Sequence, residues 1–349
     1  MLGLNIGIDL GTTSVIIYVE GEGIIMSEPS VVAFRTDTGK VLTVGSAAYD
    51  MIGRCPSSVT VVRPMKDGVV SNFTVTEQMI RYYIQKICGN NIFKPNIVVC
   101  MPSTVTNLEH RTILDVITAS GAGKACLIEE PLAAAIGAGV DISQPRGIMV
   151  IDIGGGTTDA AIITMGSIAI GKSTNSAGNA LTEAIMRYVR RERDILIGEI
   201  TAEHIKRTIG CAYIRQEEIA MVAKGKHYIT GMPISFEITS TEAFLAMREH
   251  INHIVDTIKA VLEQTPPELV GDVLQEGIVL TGGGSKLYGL DAVIEKETGL
   301  KTIVAQDPTN CVANGTGKVL KNLEFLAENG YLFKTRQDII GVEAEDDHY

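Results

Sequence analysis

The sequence predicts an α/β protein of two domains built around largely parallel sheets. The chain has 349 residues, and at roughly 100–200 residues per domain this length accommodates two domains that each bury a core. Strand-like and helix-like segments alternate, which is typical of a sheet with helices on its faces. The layout of residues 4–19, two apolar strands joined by a polar turn, is repeated at 147–164. This distant repeat predicts two structurally similar halves.

In the first half, residues 4–10 and 15–19 are predicted strands because apolar and β-branched residues dominate them. Glycines in the segment 20–23 predict a hairpin turn before a strand at 24–26. A helix over about 75–88 is predicted because apolar residues recur there at helical intervals, with capping-box spacing at 74–77. The next predicted elements are a strand at 97–101, a helix at 105–117 and a strand at 126–128.

The second half begins again with a strand, at 147–153, that runs into a glycine-rich turn and a β-branched strand at 160–164. The middle of this half is predicted to be helical, and the long helix after 239–242 has a capping box at its start. The predicted elements are helices around 181–189, from Thr201 to about 212 and from 239 to the stop at 266–267, strands within 218–238 and at 278–280, and a frayed acidic tail at 343–349.

The composition is that of a folded protein and excludes several classes. The chain carries 41 acidic against 30 basic residues, a net charge of −11, which argues against a nucleic-acid partner because such proteins carry a basic face. No apolar stretch reaches the ~18 residues of a membrane span, and the first residues lack the pattern of a signal peptide. We therefore expect a cytoplasmic location. Six scattered cysteines without a CxxC predict reduced thiols, with no disulfide and no zinc site.

Three glycine-rich turns carry the chemistry, at 9–14, 152–158 and 281–285. Glycine lets backbone amides approach phosphate oxygens closely, and threonine hydroxyls add donors. The aspartates that end the two preceding strands, Asp9 and Asp152, are suited to hold the waters of a hydrated Mg²⁺. One such turn alone is a common connector, but two matched turns and a third predict phosphate binding. GxxxxGK[ST] and GxGxxG are both absent, which argues against P-loop and Rossmann folds.

These motifs give the chain a specific resemblance. DLGTTS (9–14), EEPLAAAIGAG (129–139), DIGGGTTDAAI (152–162), AEHIKRTIG (202–210) and LTGGGSKLYGL (280–290) occur in this order. The set resembles the actin-like ATPase superfamily of actin, hexokinase and the seventy-kilodalton heat-shock chaperones. Within that superfamily, the segments 28–35, 63–70, 127–139, 196–210, 264–269 and 307–317 are similar to the MreB family, the bacterial actins. The similarity runs from about residue 4 to 335.

The resemblance implies an actin-like, ribonuclease H-like duplicated fold that holds ATP and Mg²⁺ in the cleft between two domains. The implied phosphate contacts are Gly11, Thr12 and Thr13 from one side and Gly154, Gly155, Gly156 and Thr157 from the other. The implied nucleoside contacts are Glu203, Lys206, Arg207, Gly282, Gly283 and Gly284. Asp9 and Asp152 would hold Mg²⁺ through water, and Glu130 and Thr157 would orient the attacking water. Without the resemblance, Glu130 could equally be an ordinary exposed glutamate at the start of a helix, and Glu203 and Lys206 a surface pair.

Two positions depart from the MreB pattern. Asp159 stands where MreB proteins commonly have Glu, although the heat-shock chaperones also have Asp there. Asn179, in the segment 177–179, replaces an aspartate of the usual Gly-Gly-Asp. The carboxylate of Asp159 is shorter than that of Glu, and Asn179 lacks the charge of Asp. Both differences affect domain closure, so the sequence does not predict the rate of ATP hydrolysis. We expect ATP binding to be affected less.

The resemblance also implies domain boundaries. The first domain is expected to comprise 1–145 and 315–349, with an inserted subdomain at about 33–70. The second is expected at 146–314, with an inserted subdomain at about 183–240. Each domain is expected to contain a mixed sheet with helices.

Like other members of the family, the chain is expected to polymerise by a head-to-tail contact, which grows filaments instead of closing rings. The filaments are expected to pair, to lie on the inner face of the cell membrane and to maintain rod shape with cell-wall synthesis and shape-determining membrane proteins. Ile92 and Phe93, beside Lys94, form an apolar loop suited to the headgroup region, although these residues could instead pack beneath the preceding helix.

Alternatives within the superfamily are a soluble small-molecule kinase, for which we find no substrate-base motif, and a chaperone, which needs a peptide-binding domain.

Overall fold

Two large sheets form the framework of the protein, one in each half of the chain. The computed structural model describes residues 3–89 and 93–321 and the backbone of 334–335. The strands are β1 (Asn5–Leu10), β2 (Ser14–Val19), β3 (Gly23–Pro29), β4 (Val32–Arg35), β5 (Val41–Val44), β6 (Val59–Val62), β7 (Met65–Lys66), β8 (Val69–Val70), β9 (Asn96–Met101), β10 (Lys124–Glu129), β11 (Ile148–Ile153), β12 (Thr158–Thr164), β13 (Ser167–Thr174), β14 (Ile195–Leu196), β15 (Ala220–His227), β16 (Pro233–Thr239), β17 (Ile278–Thr281), β18 (Thr302–Val304) and β19 (Lys334–Thr335).

The helices pack on the faces of these sheets. They are α1 (Ser46–Tyr49), α2 (Phe73–Cys88), α3 (Asn107–Ala119), α4 (Glu130–Ala138), α5 (Gly178–Arg193), α6 (Glu199–Ile209), α7 (Ser240–Gln264), α8 (Pro267–Glu276), α9 (Leu290–Thr298) and α10 (Cys311–Leu320), with short 3₁₀ turns at Gly283–Lys286 and Pro308–Asn310. Among the residues that the structure describes, no helix is both long and apolar enough to cross a membrane.

The two large sheets share one topology, which confirms the predicted duplication. The first has the order β19-β10-β9-β1-β2-β3 and the second the order β13-β12-β11-β17-β18. In the first, β1 pairs antiparallel with β2 and parallel with β9. In the second, β11 pairs antiparallel with β12 and parallel with β17. Since parallel neighbours bring their carboxyl ends to one edge, the loops after β1 and β11 occupy equivalent positions.

Smaller sheets flank the large ones. β4 lies between β5 and β6 in a three-stranded sheet, and β15 lies between β14 and β16 in another. The first of these small sheets lies at about 33–70 and the second at about 183–240, the segments expected to be inserted subdomains. The strands β15 and β16 and the turn between them match the prediction made for residues 218–238.

Of the two predicted capping boxes one is confirmed and one is wrong, and a third predicted helix start, at Thr201, also differs. Thr239 caps α7 by accepting from the Glu242 amide, as predicted. For α2 the prediction was wrong: Asn72, in an extended conformation, caps the helix by accepting from the Val75 amide at 3.1 Å. The helix start predicted at Thr201 was also wrong, because α6 begins at Glu199 after an extended Gly198. In both cases the helix begins earlier than predicted, with its first residue at Phe73 for α2 and at Glu199 for α6.

The two halves are joined by helices packed at very close range. α4 and α10 lie against each other, and a Cβ atom on Gly137 or Gly315 would overlap the backbone of the opposite helix. Val312 and Val319 of α10 share an apolar cluster with strands of both sheets. All six cysteines are free thiols. The close helix packing places the two glycine-rich turns at the ends of β1 and β11 beside each other.

Candidate functional site

The turn after β1 is closed by its own backbone and braced by two neighbouring loops. The Gly11 amide donates to the Ser14 carbonyl at 3.0 Å, and the Ser30 amide donates to the Thr13 carbonyl at 2.9 Å. The Thr12 hydroxyl accepts from the Gly68 amide at 2.8 Å. These bonds hold the Thr12 and Thr13 segment at the wall of a cavity between the halves of the chain.

The turn after β11 has the same closure at the same spacing. The Gly154 amide donates to the Thr157 carbonyl at 2.9 Å. The amides that begin α5 support this turn from behind, since Gly178 donates to the Gly154 carbonyl at 3.1 Å and Asn179 to the Gly155 carbonyl at 2.8 Å. The amides of Gly155 and Gly156 themselves form no hydrogen bond to any described residue. Free amides at a glycine turn are an anion-binding arrangement.

The two turns touch each other across the cavity. A Cβ atom on Gly155 would overlap the Thr13 side chain, and one on Gly156 would overlap Thr12. The Thr13 hydroxyl also donates to the Asn179 side-chain oxygen at 3.4 Å. Asn179, one of the two departures noted in the sequence, therefore contacts the opposite turn. The absence of side chains at the glycines is what permits this approach.

Carboxylates line the floor of the cavity, whose volume is about 540 Å³. Asp152 is 5% exposed and accepts from the Thr281 hydroxyl at 2.7 Å. Burial raises the pKa of Asp152 to about 7, although the Thr281 bond opposes the shift. Burial likewise raises the pKa of Asp9 to about 6, against the opposing contact from the Cys100 thiol. Buried carboxylates with raised pKa values are suited to attract a cation.

Glu130 opens α4 at the cavity wall and is only 7% exposed. Its pKa is raised well above the ordinary value, first by burial and then by the charges of Asp159, Asp152 and Asp9. Thr157 lies on the same cavity wall and is also buried. Among the described residues, no group of three or more His, Cys, Asp or Glu side chains is placed to hold a metal directly. Asp9 and Asp152 both line the cavity, and carboxylates suit the waters of a hydrated cation.

Asp159, the other departure, does not line this cavity among the described residues. One of its oxygens accepts from the Ser173 hydroxyl at 2.5 Å and from the Ser103 amide and hydroxyl, each at 3.1 Å. Burial raises the pKa of Asp159, and these hydrogen bonds oppose the shift. Ser103 follows β9 in the first sheet and Ser173 belongs to β13 in the second. Asp159 thus ties the two halves together behind the cavity.

The helix α6 contributes Glu203, Lys206 and Arg207 to the lining of the cavity. Lys206 donates to the Glu203 carboxylate at 2.6 Å, to the Gly178 carbonyl at 2.8 Å and to the Thr182 hydroxyl at 2.9 Å. Burial alone would raise the pKa of Glu203, but the Lys206 ammonium and the Thr182 hydroxyl lower it overall. Glu203 and Lys206 are therefore a fixed ion pair, and Arg207 lines the same cavity.

An ion pair beyond the cavity connects α6 to the first half of the chain. The Arg63 guanidinium, after β6, donates to the Glu199 carboxylate at 2.5 Å. Glu199 is the first residue of α6, so this pair links the helix that bears Glu203 and Lys206 to the small sheet of the first half.

The structure gathers the predicted cleft residues and adds others. All the predicted phosphate, nucleoside, magnesium and catalytic positions line one cavity. Ser14, at the end of the predicted turn 9–14, lines it too, and further lining residues were not predicted as site residues: Gly68, Gly178, Leu181, Gly210, Arg215, Lys286, Leu287, Tyr288, Thr309 and Val312. Most come from segments far apart in the chain, and nothing in the local sequence of Arg215 marks it as part of a pocket. Of the two predicted membrane residues, Ile92 lies outside the described residues, and Phe93, which is 52% exposed, does not line the cavity.

Comparison with known proteins identifies relatives over nearly the whole chain. The family model described as MreB/Mbl protein matches residues 3–328. The cell shape-determining protein Mbl of Bacillus subtilis is 44% identical over 329 residues, covering 93% of this chain and 98% of that protein. The cell shape-determining protein MreB of Escherichia coli is 43% identical over 330 residues, covering 93% and 95%.

Solved structures agree with the fold. The crystal structure of MreB 5 of Spiroplasma citri bound to AMPPNP superimposes with a TM-score of 0.89 at 36% identity, covering 95% of this chain and 99% of that one. The same protein bound to ADP gives a TM-score of 0.89 at 35% identity, covering 94% and 99%. The MamK double helical filament, at 20% identity and a TM-score of 0.78, covers 91% and 98% and shares the actin-like fold.

Proposed function

The chain belongs to the MreB/Mbl protein family, and from this membership we propose that it binds and hydrolyses ATP and polymerises into filaments that determine cell shape. The observation that carries the proposal is the pair of matching glycine turns that face each other across a cavity lined by Asp9, Asp152 and Glu130. The similarity to a relative bound to AMPPNP and ADP supports the choice of nucleotide. The cleft would separate a domain of residues 1–145 and 315–349 from one of 146–314.

Phosphate binding follows from the chemistry of the turns. The amides of Gly155 and Gly156 and the hydroxyls of Thr12 and Thr13 would donate to phosphate oxygens, with Gly11 and Gly154 permitting the close approach. Asp9 and Asp152 would hold the waters of Mg²⁺, whose charge would neutralise the phosphates. A nearby cation favours the ionised form of a carboxyl, so both aspartates would be charged when the nucleotide is bound.

Hydrolysis requires a group that positions water and accepts a proton. We assign this role to Glu130, which lines the cavity; burial and the charges of Asp159, Asp152 and Asp9 raise its pKa well above the ordinary value. The Thr157 hydroxyl would hold the same water from the opposite turn. Asp159 would act as a positioning residue, since it joins the two halves behind the cavity.

The catalytic assignment is tested with Glu130→Gln. The variant keeps the shape of the side chain but removes the base, so we expect ATP binding within about twofold of wild type and phosphate release lowered by a factor of about 10²–10⁴. Glu129→Gln is the matched control, because Glu129 is adjacent, carries the same charge and does not line the cavity among the described residues. Normal turnover in Glu130→Gln would contradict the assignment of Glu130.

The filament assignment is tested by electron microscopy of the purified protein with Mg-ATP on a monolayer of anionic lipid. Paired straight filaments on the lipid are expected, because head-to-tail contacts between identical subunits propagate without closing. Dispersed monomers under conditions where ATP binding is measured would contradict polymerisation and favour a soluble kinase of the same superfamily. In the cell, the filaments would work with membrane proteins of cell-wall synthesis.

Membrane attachment would use the loop that contains Ile92 and Phe93. The half-exposed Phe93 ring supports this role, because an apolar side chain beside Lys94 suits the boundary between headgroups and acyl chains. Replacing both Ile92 and Phe93 by Ser should abolish pelleting with anionic liposomes and leave assembly in solution intact. Met165→Ser removes an exposed apolar side chain from the hairpin of β12 and β13 and serves as the control. Unchanged lipid pelleting of the double variant would refute the assignment.

A further inference from the structure

The segment that leads into α5 holds the glycine turn after β11 from behind. The Gly178 amide donates to the Gly154 carbonyl at 3.1 Å, and the Asn179 amide donates to the Gly155 carbonyl at 2.8 Å. In a trans peptide unit the C=O and the N–H point in opposite directions. Because α5 holds these two carbonyls, the amides of the same peptide units, those of Gly155 and Gly156, point away from α5. The start of α5 therefore sets the direction of the two free amides.

Ser176, between β13 and α5, is held by its backbone and by its side chain. Its carbonyl accepts from the Thr158 hydroxyl at 2.8 Å. Its hydroxyl oxygen lies 3.2 Å from Nδ1 of His250 and 3.4 Å from Nδ1 of His253, two rings on α7. Ser176 is buried and comes two residues before Gly178, so α7 anchors the chain immediately before the first turn of α5.

The hydrogen bonds around Ser176 indicate two neutral histidine rings. A guanidinium nitrogen of Arg187 lies 3.2 Å from Nε2 of His250. A guanidinium only donates, so Nε2 of His250 accepts, and its Nδ1 carries the proton that is donated to the Ser176 oxygen. The Ser176 hydroxyl then donates its own proton to Nδ1 of His253. In this arrangement each polar contact has one donor and one acceptor.

Protonation of the rings breaks this arrangement. A proton on Nδ1 of His253 turns the acceptor into a donor, which faces the proton of the Ser176 hydroxyl. A proton on Nε2 of His250 likewise faces the Arg187 guanidinium and places a second positive charge beside it. Acid therefore weakens the anchor that α7 provides for the start of α5.

The surroundings of His250 keep its ring neutral at pH 7. The charged and titratable groups that act on it are Arg187 and Glu183 of α5 and Glu249 and His253 of α7. Burial and then the Arg187 charge lower the pKa of His250, whereas Glu249 and Glu183 oppose the shift. The ring therefore takes up a proton only in acid.

We propose that Ser176 is a positioning residue for phosphate binding, which directs the free amides of the turn after β11 through the start of α5. Its bonds to His250 and His253 make this support sensitive to acid. The inference rests on the proposed function. Ser176 does not line the cavity among the described residues, so it acts through α5. Loss of its hydroxyl should weaken the hold on phosphate groups and not on the nucleoside.

The test is calorimetric titration between about pH 5.5 and pH 8 with Mg-ATP and with Mg-tripolyphosphate, which has the phosphates without the nucleoside. At pH 8 we expect Ser176→Ala to bind both ligands about three- to tenfold more weakly than wild type, the effect of one lost hydrogen bond. The difference should shrink towards pH 5.5, because wild type loses the same support when its histidines take up protons. The carboxylates of the cavity titrate in both proteins, so their effect cancels in the ratio of the two affinities.

His253→Asn separates the response to pH from a merely structural role. The asparagine oxygen accepts the proton of the Ser176 hydroxyl in place of Nδ1 but does not titrate. The variant should bind both ligands like wild type at pH 8 and about three- to tenfold more tightly than wild type at pH 5.5. His227→Asn is the matched control, because His227 lies on β15 outside the described cavity lining and accepts from the Thr230 amide at 3.3 Å. Its pH profile should be that of wild type.

Three results would overturn the role of Ser176 while the proposed function stands. They are a Ser176→Ala protein that binds both ligands like wild type at pH 8, a deficit that is the same at every pH, and a His253→Asn profile that follows wild type. A loss of affinity for ATP but not for tripolyphosphate would likewise show that Ser176 does not act on phosphate groups. If the wild-type protein binds no ATP, the proposed function and this inference both fail.

Discussion

Replacing Asp152 by Asn should stabilise the nucleotide-free protein at neutral and higher pH and weaken its hold on Mg-ATP. Asp152 is 5% exposed at the end of β11, so its ionised form is poorly solvated in the folded state. An asparagine oxygen can still accept the hydrogen bond from the Thr281 hydroxyl. The substitution therefore removes a charge and preserves the local contact.

The magnitude follows from the pKa of Asp152. Burial raises the pKa of Asp152 from 3.8 to about 7. Since a difference of one pKa unit equals 1.36 kcal/mol, the ionised carboxylate lowers the free energy of unfolding by at most ~4 kcal/mol above pH 7. Water in the open cleft raises the effective dielectric constant, so we expect a measured gain of about 1–4 kcal/mol for Asp152→Asn.

The sign of the pH dependence is also determined. Because the pKa of Asp152 is higher in the folded state, the folded protein binds this proton more tightly than the unfolded chain does. Its contribution to stability is fully present below pH 3.8 and is lost as the pH rises through about 7. The stability advantage of Asp152→Asn over wild type should therefore grow between about pH 4 and pH 7 and then level off.

The assay is urea unfolding of both proteins in EDTA from pH 5 to pH 8, repeated at pH 8 with Mg-ATP. The added ligand should stabilise wild type more than the variant, because stabilisation by a ligand grows with its affinity. Asp37→Asn is the control: the Arg35 guanidinium lowers the pKa of this exposed carboxyl, so its loss should not stabilise the protein at pH 8. An Asp152→Asn protein no more stable than wild type at pH 8, or one with an unchanged pH dependence, would refute the reasoning.

Two further predictions concern the joints between the halves. Gly315→Ala should destabilise the protein by about 1–3 kcal/mol, because its Cβ would overlap the backbone of α4. Gly271 lies in α8 with open space around it, so Gly271→Ala should instead stabilise the protein by about 0.5–1 kcal/mol. Urea unfolding measures both changes. The ion pair is removed by Arg63→Ala, by Glu199→Ala and by both together, and the double-mutant cycle should show a coupling of about 0.5–1 kcal/mol in the free energy of unfolding. Loss of the pair should also speed ATP release two- to fivefold, which is measured by displacement of a fluorescent ATP analogue. Additive effects of the two single substitutions would show that the pair contributes nothing.

Much of the fold was predictable because its signals are local. Apolar strands such as β1, β9 and β11 are recognisable from composition alone, and the capping box at Thr239 fixes the start of α7 within a few residues. The failures were at the starts of α2 and α6. Asn72 precedes Thr74 by two residues, and both residue types cap helices, so the choice between them depended on where the backbone leaves its extended conformation.

The candidate site was predictable where one continuous motif supplies it. The glycine turns carry their own signature, since tight closure and close approach both need glycine. Arg215 and Tyr288 had no such signature: β15, β16, α7, α8 and β17 separate them in sequence, and they meet only because the segment after α6 docks on the loop after the third turn. The Arg63–Glu199 pair is unpredictable for the same reason.

What the sequence alone determined was the class of fold, its duplication and the chemistry of its turns, because alternation, repetition and glycine spacing are properties of neighbouring residues. The tertiary structure decided which of these groups meet and what their environment does to them. Asp9 and Asp152 occupy equivalent positions in the two repeats, but only the tertiary packing of the two halves brings them to one cavity. Their raised pKa values are a property of that cavity, since burial depends on atoms contributed by the whole chain.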